Sequence, residues 1–311
     1  VIPMGPYILL NRVGAGGFGE VYRAIHISQL FVRDPIFVAI KTILPHLLDS
    51  SSHLEKPSTP TKKRTPDEEK VALEQQKERE KRAKVTAESF FKRFKLEAAL
   101  LWELDHPNIV KLISYEFNWD PPYIVMEFID GESLDRILER YPDGMSPVEA
   151  LATLEGGLTA IAFVHGQDPT IIHKDLKPSN LMIRTNKEMV VMDFGIANRQ
   201  GDDRLTSMND GVFEPVGSPH YMAIERIQEP ELQLAASDQF SLGAILFEMV
   251  TGKPSFSSGS DLYNGKLPKV MEVKPELGRF GEVIDRMRSH NYEDRFESVA
   301  AAHEALKQAL A

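Results

Sequence analysis

The sequence predicts an α+β protein in two parts, a β-rich first part and an α-rich second part joined near Asp130. Apolar and β-branched runs separated by turn residues fill the chain up to Ile43. A charged island with Ser, Thr and Pro then interrupts the pattern, and beyond Asp130-Gly131 the long segments carry apolar residues at helical spacing.

Taken in order, Tyr7 to Val13 and Glu20 to Ile27 are strand-like runs on either side of a glycine cluster, and Ile36 to Ile43 is a third after Asp34-Pro35, which together read as an antiparallel meander. From Leu47 to Pro66 the breakers Ser58-Thr59-Pro60 and Thr65-Pro66 predict a disordered loop. Thr65-Pro66-Asp67-Glu68 has the form of a capped helix start, and no Gly or Pro follows until Pro107, so a helix from Pro66 to Leu104 is expected. Its middle, Glu74 to Lys84, has no apolar stripe, only i,i+4 pairs such as Glu78/Arg82, so it must be solvated or packed on a partner. From Phe90 a stripe that can bury takes over: Phe90, Phe91, Phe94, Ala98, Leu101 and Leu104. Ile109 to Tyr115 and Tyr123 to Phe128 read as strands around Asp120-Pro121-Pro122. Helices are expected over Ser133 to Tyr141, Ser146 to His165, Ser237 to Thr251, Leu277 to Ser289 and Phe296 to Ala311.

The chain has 311 residues, 42% hydrophobic and 26% charged, which excludes collagen-like, wholly disordered and disulfide-scaffold classes. With no Cys there is no disulfide, thiolate metal site or cysteine nucleophile. No unbroken apolar run approaches the ~18 residues of a membrane span, so a soluble chain is expected without a membrane role. A net charge of −10 argues against a nucleic-acid-coating surface. The stretch Asp49 to Glu88 nets +1 and the remainder −11, which sets that island apart.

Gly14-Ala15-Gly16-Gly17-Phe18-Gly19-Glu20-Val21 fits G-x-G-x-x-G-x-V, in which absent Cβ atoms let backbone N–H groups approach phosphate oxygens. A dinucleotide-binding loop would run into a helix, whereas Val21 to Ile27 reads as a strand, so the cluster caps a hairpin. Lys41, in Val38-Ala39-Ile40-Lys41, stands on an apolar strand and needs an anionic partner if it points inward; Glu97 on the following helix is the candidate, with a solvated edge Lys as the plain alternative. His173-Lys174-Asp175-Leu176-Lys177-Pro178-Ser179-Asn180 is followed, thirteen residues after Asn180, by Asp193-Phe194-Gly195.

With these segments in this order the chain resembles the eukaryotic-type (Hanks-type) Ser/Thr protein kinases. The resemblance extends through His106-Pro107-Asn108-Ile109-Val110 and through Gly217 to Glu225, with Ile224 where the family usually has Pro. It continues in Ser237-Asp238-Gln239-Phe240-Ser241-Leu242-Gly243, with Phe240 for the usual Trp, and in Arg295, which would pair with Glu225 or else be a surface Arg. The region from about 46 to 86 has no counterpart in the family.

The resemblance implies a bilobal kinase fold, with an N-lobe at 1–129 that carries the charged insertion and a C-lobe at 130–311, and it implies ATP and Mg2+ as cofactors. Asp175 would accept the hydrogen bond of the attacking hydroxyl and Lys177 would neutralise the γ-phosphate, while Lys41, fixed by Glu97, would grip the α- and β-phosphates. Gly14, Gly16, Gly17 and Gly19 would cover the phosphates, and Asn180 and Asp193 would supply the oxygen ligands that Mg2+ prefers. Val21, Ala39 and Met182 would sandwich the adenine, and the backbone of Glu127 and Ile129, after the gatekeeper Met126, would bond its edge; each apolar residue also has a plain core reading. Lys177 at its offset from Asp175 implies a Ser or Thr acceptor in a protein substrate. A pseudokinase scaffold or a small-molecule kinase is the alternative. The 46–86 insertion is expected to be either a mobile projection or an arm docking on a second copy, through Phe90 and Phe91, or on another protein. A Glu214–Lys174 pair in place of a phosphate–arginine link would leave the enzyme active without activation-segment phosphorylation, with Thr206 or Ser207 as the rival phosphosites. The resemblance to bacterial members places the expected activity in the cytoplasm, or in a host cytosol for a secreted effector.

Overall fold

The computed structural model describes residues 2–16, 19–43, 88–200, 219–229, 232–256 and 267–311. Gly17, the 46–86 insertion, Thr206, Ser207, Glu214 and Ser218 therefore lie outside the described residues. The chain divides into two units, one of residues 1–102 with 111–128 and the other of 103–110 with 129–311. Residues 103–110, counted by sequence with the first part, thus belong to the second unit.

The first unit is a six-stranded antiparallel sheet and one helix. Its strands are β1 (Ile2–Met4), β2 (Tyr7–Gly16), β3 (Gly19–His26), β4 (Phe37–Thr42), β5 (Leu112–Glu116) and β6 (Tyr123–Glu127), in the order β1-β2-β3-β4-β6-β5. One core cluster is built from Met4, Leu9, Ala24, Val38, Ile40, Tyr123 and Val125, the alternating positions of neighbouring strands. Gly19 is where the sheet demands glycine, because a Cβ there would stand 2.3 Å from the Thr42 carbonyl oxygen of β4. Of the helix expected from Pro66 to Leu104, residues 66–87 lie outside the described residues, and helix α1 spans 88–103. Its Phe94, Ala98 and Leu101 are buried as the stripe requires, and Phe91 and Phe94 meet the Phe117 ring edge-on at 6.1 and 6.2 Å.

The second unit is mostly helical. Helix α3 (Pro147–His165) starts at Ser146, whose Oγ accepts the Glu149 N–H, with Pro147 at the first position. It is the one described helix long and apolar enough to cross a membrane, a length hidden in the sequence by Glu149 and Glu155, and much of it is buried within the unit. Helix α5 (Ala235–Thr251) is buried all round from Ser237 to Phe247 and ends at Gly252 with φ 71, where a Cβ would strike the Pro142 carbonyl. Around these lie α2 (Leu134–Leu138), α4 (Glu225–Gln228), α6 (Val270–Val273), α7 (Gly278–Met287) and α8 (Val299–Leu310). Short strands complete it: β7 (Gly131–Ser133), β9 (Leu181–Arg184) and β10 (Met189–Val191) form one sheet, and β8 (Ile171–Ile172) pairs with β11 (Asn198–Arg199).

The α+β organisation expected from the sequence is what the structure shows. Several boundaries moved, three of them for a cause visible in the structure. The strand read from Ile109 is Leu112–Glu116, because Ile109 is turned by its N–H bond to the His106 carbonyl and makes an isolated parallel bridge with Val191. Helix α2 stops at Leu138 rather than Tyr141, whose N–H closes a tighter turn on the Leu138 carbonyl. The last helix begins at Val299, because Phe296 is claimed by Gln239, which bonds both its N–H and its carbonyl.

Candidate active site

The residues expected to act fall in both units. In the first, β2 and β3 run as a hairpin up to the pair Gly16–Gly19, so the glycine cluster does cap a hairpin. Gly14 lies across from Val21, and a Cβ there would meet only the Val21 side chain at ordinary distance, so the sheet itself does not require glycine at this position. Val21 is the cross-strand partner of Lys41, and Ala39 of Met126, with Ala39 and Met126 both buried. The Glu127 N–H is taken by the Lys111 carbonyl.

Lys41 Nζ donates to both carboxylate oxygens of Glu97, at 2.7 and 2.8 Å, with side chains 12% and 3% exposed. The solvated-edge alternative for Lys41 is thereby ruled out. A nearly enclosed ion pair is favourable only when both partners are satisfied, and the two oxygens of Glu97 sharing one ammonium meet that condition.

In the second unit the loop from His173 to Asn180 is tied down by hydrogen bonds to its backbone. Asp238, fully enclosed, accepts the N–H of His173 at 2.8 Å and of Lys174 at 2.9 Å, and its Oδ2 stands 2.9 Å from His165 Nε2. Burial pushes the Asp238 carboxyl up, but His165, the charge of His173 and the backbone N–H outweigh it and hold the carboxyl below its ordinary value. Lys174 at φ 70 and Asp193 at φ 57 are both left-handed, a conformation that costs a non-Gly residue about 1–3 kcal/mol. The Asp238 bonds supply part of what holds the first. Behind the loop the His173 ring is wholly buried, edge-on to Phe194 at 4.7 Å.

Asp175 is the focus of the loop. Its Oδ2 accepts from Lys177 Nζ at 2.8 Å and from Asn180 Nδ2 at 3.2 Å, and the same Nδ2 donates to the Asp175 carbonyl at 2.8 Å. Its Oδ1 is buried and has no hydrogen-bond partner among the described residues. A buried carboxylate oxygen without a donor is costly, and a substrate hydroxyl would satisfy it. Because Asn180 spends its amide N–H groups on Asp175, its carbonyl oxygen is the end available to a cation. With the Asp193 carboxylate that makes two hard oxygen donors, a set that fits Mg2+ completed by phosphate oxygens and water. Met182 is partly buried in β9 beside Val190.

Glu225 accepts from Arg295 Nη1 at 2.7 Å and Nη2 at 3.0 Å and from Ser237 Oγ at 2.9 Å, so Arg295 is buried, not a surface Arg. Phe240, fully buried, lies 5.1 Å beneath the Arg295 guanidinium. Sequence reasoning missed the roles of His165 and Asp238. Asp238 stood within a quoted motif, but only the fold shows that it holds the loop at His173 and Lys174.

Comparison with known proteins agrees with this geometry. The family pattern described as protein kinase domain matches residues 59–299. A serine/threonine-protein kinase, PknH, of Mycobacterium bovis is 28% identical over 97% of this chain and 44% of its own length. MasK of Myxococcus xanthus, named a tyrosine-protein kinase, is 29% identical over 99% of this chain and 43% of its own. PknB of Mycobacterium leprae, a serine/threonine-protein kinase, is 37% identical over 55% of this chain and 27% of its own. The chain thus spans less than half the length of these relatives.

Proposed function

The chain belongs to the protein kinase family, and from that membership we propose that it transfers the γ-phosphate of ATP to Ser or Thr hydroxyls of protein substrates with Mg2+. The observation that carries this reading is the state of Asp175, one oxygen held by Lys177 and Asn180, the other buried without a donor among the described residues. Oδ1 accepts the hydrogen bond of the substrate hydroxyl and takes its proton as the oxygen attacks phosphorus. Lys177, already beside Oδ2, brings a positive charge to the same place, where charge develops on the transferred group. Lys41, fixed by Glu97, is the cation that grips the nucleotide phosphates. Asn180 and Asp193 would hold Mg2+, which neutralises phosphate charge when bound.

Lys174 supports activity without activation-segment phosphorylation. Its ammonium donates to Gln233 Oε1 at 3.2 Å, and as a point charge it lacks the two-pronged grip of Arg on a phosphate. The Glu214 partner lies outside the described residues. The 46–86 insertion is the segment proposed to dock on a second copy or another protein, and cytoplasmic proteins are the proposed substrates.

The test is a transfer assay with labelled ATP and a mixed protein substrate, using phosphatase-treated wild type against Asp175→Asn. Label on Ser and Thr from wild type alone is expected. ATP binding without transfer by wild type would make the chain a scaffold, label on Tyr would overturn the acceptor class, and loss on phosphatase treatment would restore an ordinary phosphorylation switch.

A further inference from the structure

Arg226 is a residue for which the loop chemistry above has no use, yet its side chain runs into that loop. It follows Glu225 in the short helix α4, and where Glu225 turns to Arg295, Arg226 donates from Nη1 to the backbone carbonyl of Lys174. Burial works against the charge of its guanidinium, and the charges of Asp238, Asp175 and Glu225 work for it.

The position of that bond matters. The peptide joining Lys174 to Asp175 has two polar ends. Its carbonyl is held by Arg226, and its N–H donates to His173 Nδ1 at 3.3 Å, a long bond for this geometry. The residue before that peptide is in the left-handed region, so the loop resists relaxing only as far as its bonds compel it. Asp238 fixes the N–H of Lys174 on one side of the strained residue, and Arg226 fixes the carbonyl on the other. Rotation of that peptide would swing Asp175, and with it the oxygen that has no donor.

We propose that Arg226 is a positioning residue for phosphoryl transfer, holding the Lys174–Asp175 peptide so that the Asp175 carboxylate is presented to the substrate hydroxyl. It touches no reacting atom. The inference deepens the kinase reading and rests on it for its catalytic part, while its structural part can be measured without any transfer.

The experiment compares wild type, Arg226→Lys and Arg226→Met in the full chain by amide hydrogen exchange of residues 173–177, by kcat and by KM for ATP. Misplacing a reacting group by about 1 Å can cost on the order of a hundredfold, so Arg226→Met should lose about 10- to 100-fold in kcat. Its KM for ATP should stay within about twofold and the Asp175 amide should exchange faster, with exchange elsewhere unchanged. Arg226→Lys, which keeps the charge and one donor, should recover part of kcat and of the protection. Folded Arg226→Met with wild-type exchange and kcat would overturn the proposal, as would a loss confined to ATP affinity. If Arg226→Met does not fold, the Lys variant decides: reduced kcat with looser 173–177 amides supports the role, and wild-type values in both overturn it. Should wild type transfer nothing, the kinase reading falls, and the exchange measurement still decides whether Arg226 holds the loop.

Discussion

Arg295 grips Glu225 with both Nη nitrogens, at 2.7 and 3.0 Å, across 70 residues of chain and with neither side chain more than 3% exposed. The pair joins the segment that leads into helix α5 to the segment that leads into helix α8. Its surroundings are complete: Ser237 completes Glu225, and the carbonyls of Ser289, Ala236 and His290 take the remaining donors of Arg295.

Breaking it from one side should therefore be severe. Arg295→Met leaves a buried carboxylate alone and is expected to cost about 3–5 kcal/mol in denaturant unfolding, and Glu225→Gln, which keeps an acceptor but leaves the buried Arg295 cation without its anion, is expected to cost a similar amount. The pH dependence has a definite sign. Burial pushes the Glu225 carboxyl up, but the hydrogen bond and charge of Arg295 prevail and hold it below the ordinary value, as the partners of Asp238 do for that residue. Both contribute stability that is present above the unfolded carboxylate pKa of about 4 and lost as pH falls through the lower folded values. Unfolding measured from pH 7 down to 3 should steepen below pH 4, and Glu225→Gln should flatten that slope.

Lys41→Met should leave the Glu97 carboxylate nearly enclosed and without its cation. The expected result is a chain that melts at lower temperature and loses transfer, whereas Glu97→Gln, which keeps a hydrogen-bond acceptor for Lys41, should retain more of both. Equal activity in wild type and Lys41→Met would remove this pair from the nucleotide site.

Asp175→Asn keeps the size of the side chain and removes its basicity. General-base contributions run to about 10²–10⁴-fold, so kcat should fall by that order while ATP affinity holds. Asp193→Ala should instead raise the Mg2+ concentration needed for half-maximal ATP binding, a readout independent of turnover. An unchanged Mg2+ titration would take Asp193 out of the metal site.

Gly19→Ala places a methyl group 2.3 Å from the Thr42 carbonyl, a backbone atom that cannot step aside. A loss of roughly 1–3 kcal/mol is expected, as for overpacking in a core, while Gly14→Ala should cost far less and affect nucleotide binding if it affects anything. Equal stability of the two variants would mean that β3 and β4 separate more freely than their register implies.

Deleting residues 50–84 removes only residues outside those described. ATP binding should persist, with self-association or substrate choice altered. Loss of nucleotide binding with unchanged association would show that the insertion supports the lobe itself.

The site was readable because most of its residues sit in contiguous stretches. Asp175, Lys177 and Asn180 share one loop, so a single contiguous segment carries the resemblance that implies their roles. Lys41 and Glu97, 56 residues apart, were paired by a general rule, that a strand Lys among apolar neighbours needs an anion. Long helices were visible in their apolar spacing, while the two- to four-residue strands β7 to β11 are too short to show a period. Arg226 left no signal for a related reason: a four-residue helix has no face to read, and its partner is a backbone carbonyl that carries no sequence identity. Gly19 was read as a phosphate-facing residue, and only the register of β3 against β4 shows the close approach that demands glycine.

Asn108 has a consequence for how the second unit is made. Its Nδ2 donates to the Met189 carbonyl at 2.7 Å across 81 residues, its carbonyl accepts the Val191 N–H at 2.8 Å, and Val110 returns a bond to the Val191 carbonyl at 3.1 Å. The strap 103–110 is therefore synthesised well before the strand it must meet, and closing a loop of that length costs about 4 kcal/mol in chain entropy before any contact repays it. A fragment beginning at Ile129 would carry the whole catalytic loop yet emerge from the ribosome with Met189 and Val191 unpaired along the edge that the strap covers, so cutting the chain at the apparent boundary should yield an unstable product.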